Sequence, residues 1–155
     1  MSTLRVNALQ SSAGTGTPTT LNAPALSAVR ITGSQSVTSG AWTKAQYNSV
    51  TYDPTGAWDA ANFRFTPQTA GMYSVQAVLD SSGSVSTTNV TLAVYKNGTQ
   101  VRAGSSNGTT NSRANVAAAI TMNGSTDYLE VWINISGSSP AAAGNVDMFL
   151  VRAGV

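Results

Sequence analysis

The sequence predicts an all-β chain, an antiparallel β-sandwich preceded by an extended N-terminal arm. Apolar and polar residues alternate at period two through segment after segment, the pattern of strands with one buried face. Asn-Gly pairs and a Pro-Thr-Gly turn punctuate those segments. Helical periodicity is sustained nowhere over a useful length. A chain of 155 residues is most simply one domain, large enough to bury a core without staples. It has no cysteine, so disulfides are excluded, which is compatible with assembly in a reducing cytoplasm.

Residues 1–27 read as the arm and 28–155 as the sandwich domain. Leu4 and Val6 alternate with Thr3, Arg5 and Asn7, enough for one short strand, and Leu9 follows. The tract Ser11–Thr20 carries too little apolar surface to fold alone, so the arm is expected to dock on another surface through Leu4, Val6 and Leu9.

Val29 and Ile31 begin the first strand of the domain. Trp42 and Tyr47 sit in a polar, loop-rich stretch before Val50 and Tyr52. The turn Pro54-Thr55-Gly56 leads into a short strand in which Phe63 and Phe65 alternate. Thr66-Pro67 ends that strand, because proline has no N–H for a sheet ladder. Gly71 permits a tight corner, and a long strand starts at Met72. Along Met72–Asp80, Tyr73, Val75, Ala77 and Leu79 share one face, while Ser74, Gln76 and Val78 share the other.

Ser81–Ser86 is a serine/glycine loop, and Val90, Leu92 and Val94 face one way along the next strand. Asn97-Gly98 and Asn123-Gly124 follow convincing strands and are the better turns; Asn107-Gly108 is a third pair. Val116, Ala118, Ile120 and Met122 share a face, and Ala117 and Ala119 lie on the other. Leu129, Val131, Ile133 and Ile135 line the core side of the following strand. Ser136–Gly144 reads as a loop, and Val146–Arg152 closes the domain.

The sequence offers little reactive chemistry. Histidine and cysteine are both absent, which removes the commonest general base, the thiol nucleophile and the usual transition-metal ligands. Six carboxylates remain: Asp53, Asp59, Asp80, Asp127, Glu130 and Asp147. Asp53 and Asp59 flank the Pro-Thr-Gly turn and Asp127 follows another turn, so structural roles are expected for all three. No acidic loop has calcium-site spacing, no Gly-x-Ser-x-Gly lies between a strand and a helix, and no phosphate-cradling Gly-Lys-Ser/Thr is present. No catalytic residue, metal or cofactor is therefore assigned.

Only 9% of residues are charged, and the net charge of +2 comes from scattered residues. Without a Lys/Arg cluster, no nucleic-acid partner is expected. No apolar run approaches the roughly 20 residues of a membrane-spanning helix, and the N-terminus lacks the pattern of a secretory signal. Sequons at Asn89, Asn97, Asn107, Asn123 and Asn134 are the chance product of an Asn/Ser/Thr-rich chain. Trp42, Trp58 and Trp132 could form a sugar-stacking platform. Trp132 shares with Tyr128 and Glu130 the face opposite Leu129, Val131 and Ile133, which makes Trp132 and Tyr128 the candidate ligand contacts.

The run Phe63-Arg64-Phe65-Thr66-Pro67, then Ala70-Gly71-Met72-Tyr73, resembles the approach to the central strand of the complement-q/tumour-necrosis-factor-like jelly rolls. The resemblance continues through Val94-Tyr95-Lys96-Asn97-Gly98, Met122-Asn123-Gly124, Asp127–Trp132 and Met148-Phe149-Leu150-Val151, about the last three quarters of the chain. It implies a jelly roll and a homotrimer. The trimer would pack the sheet of the first, last and central strands on its symmetry mates through Val78, Ala117, Ala119, Phe149 and Val151. The opening Met-Ser-Thr, alternating strand and Gly/Thr tract is similar to the N-termini of phage structural proteins, those of cyanobacterial phages in particular.

Together these resemblances imply a non-enzymatic virion protein, assembled in the host cytoplasm. It would be a trimer decorating the head and docked by its arm on the major capsid protein. The alternative is a tail-fibre tip that binds a receptor or host surface glycan. A fibre tip needs a shaft, whereas the 28 residues before Val29 hold no heptads and no repeat. That favours a chain seated directly on a surface.

Overall fold

The computed structural model describes residues 25–82, 87–106, 112–138, 141–143 and 146–153; of residues 25–30, 82, 87, 88, 106, 143 and 146–153 the backbone alone is described. Leu4, Val6 and Leu9, the Ser/Gly loop residues 83–86 and the pair Asn107-Gly108 lie outside the described residues.

Among the described residues, thirteen strands follow in chain order: β1 (Ala25–Ile31), β2 (Ser34–Ser36), β3 (Thr43–Lys44), β4 (Ser49–Tyr52), β5 (Trp58–Asp59), β6 (Arg64–Phe65), β7 (Ala70–Ser82), β8 (Thr87–Lys96), β9 (Thr99–Ser106), β10 (Arg113–Asn123), β11 (Leu129–Gly137), β12 (Ala141–Ala143) and β13 (Val146–Ala153). Every pairing between them is antiparallel. The strands form one sheet of seven, β2-β12-β7-β13-β1-β4 with β10 also on β7, and one of six, β5-β6-β11-β8-β9 with β3 also on β11. The last strand thus lies between the first strand and the long central strand β7, and β10 covers the other side of β7 from end to end.

The core forms where the two sheets meet. Tyr73, Val75, Ala77 and Leu79 on β7 face Val90, Leu92 and Val94 on β8 and Leu129, Val131, Ile133 and Ile135 on β11, all within one buried cluster. These are the faces that period-two alternation assigns. Phe65 and Tyr47 join the cluster, with Phe65 edge-on to Tyr73 at 5.7 Å.

Several local readings change. Phe63 does not alternate with Phe65 on a strand: it closes the preceding turn at φ 50°, and β6 begins at Arg64. A bulky residue at positive φ is strained, and the turn is held by Asp59, whose carboxylate accepts from the N–H groups of Ala61 and Asn62 at 3.1 Å each. Gly71 lies inside β7, which starts at Ala70, so there is no corner at that point. The stretch read as a loop from Ser136 holds the end of β11 and the short strand β12, whose Ala141 and Ala142 bridge β2 and β7. Strand β9 was not foreseen, since Thr99–Ser106 carries Val101 as its one large aliphatic residue. The first strand takes in residues 25–27 of the stretch read as arm.

On one side the sandwich closes by β9 of one sheet meeting β10 of the other. Gly104 makes this possible: a Cβ there would lie 1.9 Å from the carbonyl oxygen of Asn115 on β10. The two backbones approach more closely than any side chain allows.

Candidate functional site

Two surfaces carry the residues singled out in the sequence, one on the outward face of each sheet. On the seven-stranded sheet, cross-strand pairing sets residues side by side in rows. Ala117, Gln76 and position 149 form one row, and Ala119, Ser74 and position 151 form the next. Thr121, Met72 and position 153 lie beyond them, with Met72 49% exposed. In the other direction come Asn115, Val78 and position 147, then Arg113 and Asp80. Ala117 and Ala119 are exposed and Val78 is half-buried. Within these rows charge lies at one end, where the Arg113 guanidinium donates to Asp80 through Nε and, at 2.9 Å, through Nη2, while the exposed Arg102 of β9 borders Ala117 and Ala119. The small side chains leave a shallow depression of about 230 Å³ lined by Gln76, Val78, Asn115 and Ala117. The face brings Val78, Ala117 and Ala119 together, and pairing places positions 149 and 151 in the same rows.

Three of the carboxylates, Asp53, Asp59 and Asp127, serve turns. Asp53 accepts from the N–H groups of Ala57 at 3.1 Å and Trp58 at 2.9 Å across the Pro-Thr-Gly turn. Asp127 ties two Asn-Gly turns together. It pairs with the Lys96 ammonium at 2.8 Å and accepts from the Asn97 amide at 2.7 Å and the Asn123 N–H at 2.9 Å. The hydrogen bond from Lys96, followed by that from Asn97, holds its pKa below the usual carboxylate value. Asn97 and Gly98 take φ 51° and 77°, the positive pair that a type I′ hairpin turn needs. Asp59 is likewise shifted down, chiefly by its hydrogen bond from the Asn62 side chain, and also pairs with Arg64 at 3.2 Å.

On the six-stranded sheet, residues 38–47 run beside β11, anchored by Gly40 N–H to Ile135 O at 3.0 Å, by β3 and by Ala45 N–H to Val131 O at 2.9 Å. Ala45 and Tyr47 point into the core, so the alternate residues Trp42 and Lys44 stand on the outward face. There Trp42 meets Tyr95 edge-on at 6.1 Å, and Tyr95 meets Trp132 at 5.2 Å. Beneath them Ala93, which pairs directly with Trp132, is fully buried despite being on the outer face.

Polar contacts fix this ledge. Glu130 is 5% exposed and accepts from Lys44 Nζ at 2.6 Å and from Trp132 Nε1 at 3.0 Å. The Lys44 ammonium lies 5.6 Å over the Trp132 ring. Of the three tryptophans weighed as a platform, Trp42 and Trp132 come together through Tyr95, while Trp58 packs on Tyr47 at 5.9 Å. Tyr128 stands apart under the Arg64 guanidinium at 4.8 Å. Sequence reasoning missed Tyr95 and Lys44, yet alternation marks Tyr95: it is out of phase with the core residues Val90, Leu92 and Val94.

Solved structures share this architecture at low sequence identity. Eiger TNF from S. frugiperda is 12% identical at a TM-score of 0.62, over 84% of this chain and 94% of that one. The globular domain of zebrafish complement 1qA protein is 13% identical at 0.61, over 84% and 98%. Murine APRIL is 11% identical at 0.58, over 82% and 98%. The fold is a complement-q/tumour-necrosis-factor-like jelly roll. No family model matches the chain, and no curated protein matches it. At such identities the likeness is one of jelly-roll architecture.

Proposed function

We propose that this jelly roll is a trimeric structural protein of a phage virion that decorates the head and stabilises the capsid. The observation that carries the proposal is the outward face of the seven-stranded sheet. Its central rows hold Ala117, Ala119, Gln76, Ser74 and positions 149 and 151 without a charge among them. Cyclic symmetry would cover this uncharged face by setting the same strands of three subunits around one axis. In the resembled superfamily, this sheet is the one that packs on its symmetry mates. A three-fold protein fits three-fold positions of an icosahedral shell, where it would bind only the assembled capsid and stabilise it by mass action. The N-terminal similarity to phage structural proteins supports the virion setting. The role asks for no catalysis.

Light scattering at micromolar concentration is expected to return a trimer, and Ala119→Asp to dissociate it. Burying an unpaired carboxylate costs about 3–5 kcal/mol per subunit. A stable wild-type monomer would sink the assembly. Quantitative mass spectrometry of purified virions then decides location. Amounts comparable with the major capsid protein support head decoration, whereas a handful of copies would mean a receptor- or carbohydrate-binding tip of a tail fibre.

A further inference from the structure

We infer that the outward face of the six-stranded sheet binds a neutral oligosaccharide on the ledge formed by Trp42, Tyr95 and Trp132. This inference does not rest on the location proposed above, since a head decoration and a fibre tip could both carry such a site.

Three features of the ledge select this ligand. Its rings touch in series, Trp42 edge-on to Tyr95 and Tyr95 tilted on Trp132, with Trp42 37% exposed. The C–H faces of a pyranose are apolar and weakly positive, and they pack on the electron-rich faces of such rings. Around the rings lie groups suited to hydroxyls. Asn134 and Thr91 sit opposite each other on β11 and β8, with Asn134 Nδ2 donating to Gly40 O at 2.9 Å. Gln100 stands next to the Tyr95 hydroxyl at 3.3 Å. These amides and hydroxyls are oriented by contacts of their own, so little side-chain freedom is lost on binding.

The electrostatics favour a neutral ligand. Lys44 and Glu130 neutralise each other at 2.6 Å, and the neighbouring Arg64 is paired with Asp59. The rim around the rings is polar, and the charged groups at its edge are paired with one another. The face proposed for self-association belongs to the other sheet, so a second copy of the chain is not needed to cover the rings.

The test is an array of neutral and acidic bacterial surface polysaccharides, probed with the full-length protein. A neutral hit is then titrated by tryptophan fluorescence. Wild type is expected to bind a neutral glycan with saturable quenching. Trp42→Ala should weaken binding at least tenfold and Trp42→Phe should recover part of it. Thermal unfolding of Trp42→Ala should stay close to wild type, which separates a lost contact from a lost fold. Tyr95→Phe keeps the ring and serves as a second variant, expected to bind within a few-fold of wild type. The proposal is overturned if wild type binds no glycan or only acidic ones. It also fails if Trp42→Ala binds as wild type does, or if that substitution changes the oligomeric state, which would make the ledge a protein contact.

Discussion

Replacing Gly104 by alanine tests the closure that gives the jelly roll its shape. The added methyl carbon would sit 1.9 Å from the Asn115 carbonyl oxygen, 3.0 Å from its carbon and 3.4 Å from Val116 Cα. Ordinary contact requires a separation of about 3.5 Å, so β9 and β10 must part by roughly 1.6 Å. Every atom met belongs to backbone within an eleven-residue strand paired along its length with β7, so no rotamer change relieves the clash. Overpacking costs about 1–3 kcal/mol, and a rigid neighbour puts this site at the upper end. The lower entropy of the unfolded alanine chain returns about 0.4–1 kcal/mol. The expected net loss is about 2 kcal/mol, a fall in Tm of roughly 4–8 °C for a chain of this size. Gly33→Ala is the comparator. It has open space around it and φ +90°, so it isolates the backbone penalty of about 1–2 kcal/mol. Differential scanning calorimetry at neutral pH reads both. A Gly104→Ala protein as stable as wild type would show that the two strands do not approach in this way.

Lys44→Met should leave Glu130 buried with only the Trp132 indole N–H as a strong donor, at a cost of about 2 kcal/mol measured by urea denaturation. The double variant Lys44→Met, Glu130→Gln should recover part of that loss. Asp127 provides a pH test. Its folded pKa lies below its unfolded value, so its contribution is fully present above about pH 4 and is lost as pH falls through the folded value. Asp127→Asn should therefore be less stable than wild type at pH 7, with the gap in Tm narrowing on acidification below about pH 4; a gap constant from pH 7 to 3 would refute the role given to the carboxylate.

What the sequence determined by itself was the pairing of pattern with face. Alternation along Met72–Asp80, Val90–Val94, Val116–Met122 and Leu129–Ile135 names core residues that are buried, Ala118 only in part, because in a strand the two faces separate at every residue. Asn97-Gly98 turns because both residues take positive φ, whereas at Asn123-Gly124 only the glycine does and the Asn123 Oδ1 accepts from the N–H groups of Ser125, Thr126 and Asp127. The jelly-roll class followed from motifs resembling known ones. The short strands β3, β5 and β12 were not legible, since two or three residues carry no period, and they exist because a neighbouring strand edge needs partners. Gly104 in sequence is an ordinary glycine; only the meeting of β9 with β10 makes it obligatory. The aromatic ledge belongs to the same class. Trp42, Tyr95 and Trp132 lie on three separate segments, and alternation says only that each points outward. Which outward residues become neighbours is decided by strand order and register, long-range pairings that no local pattern encodes.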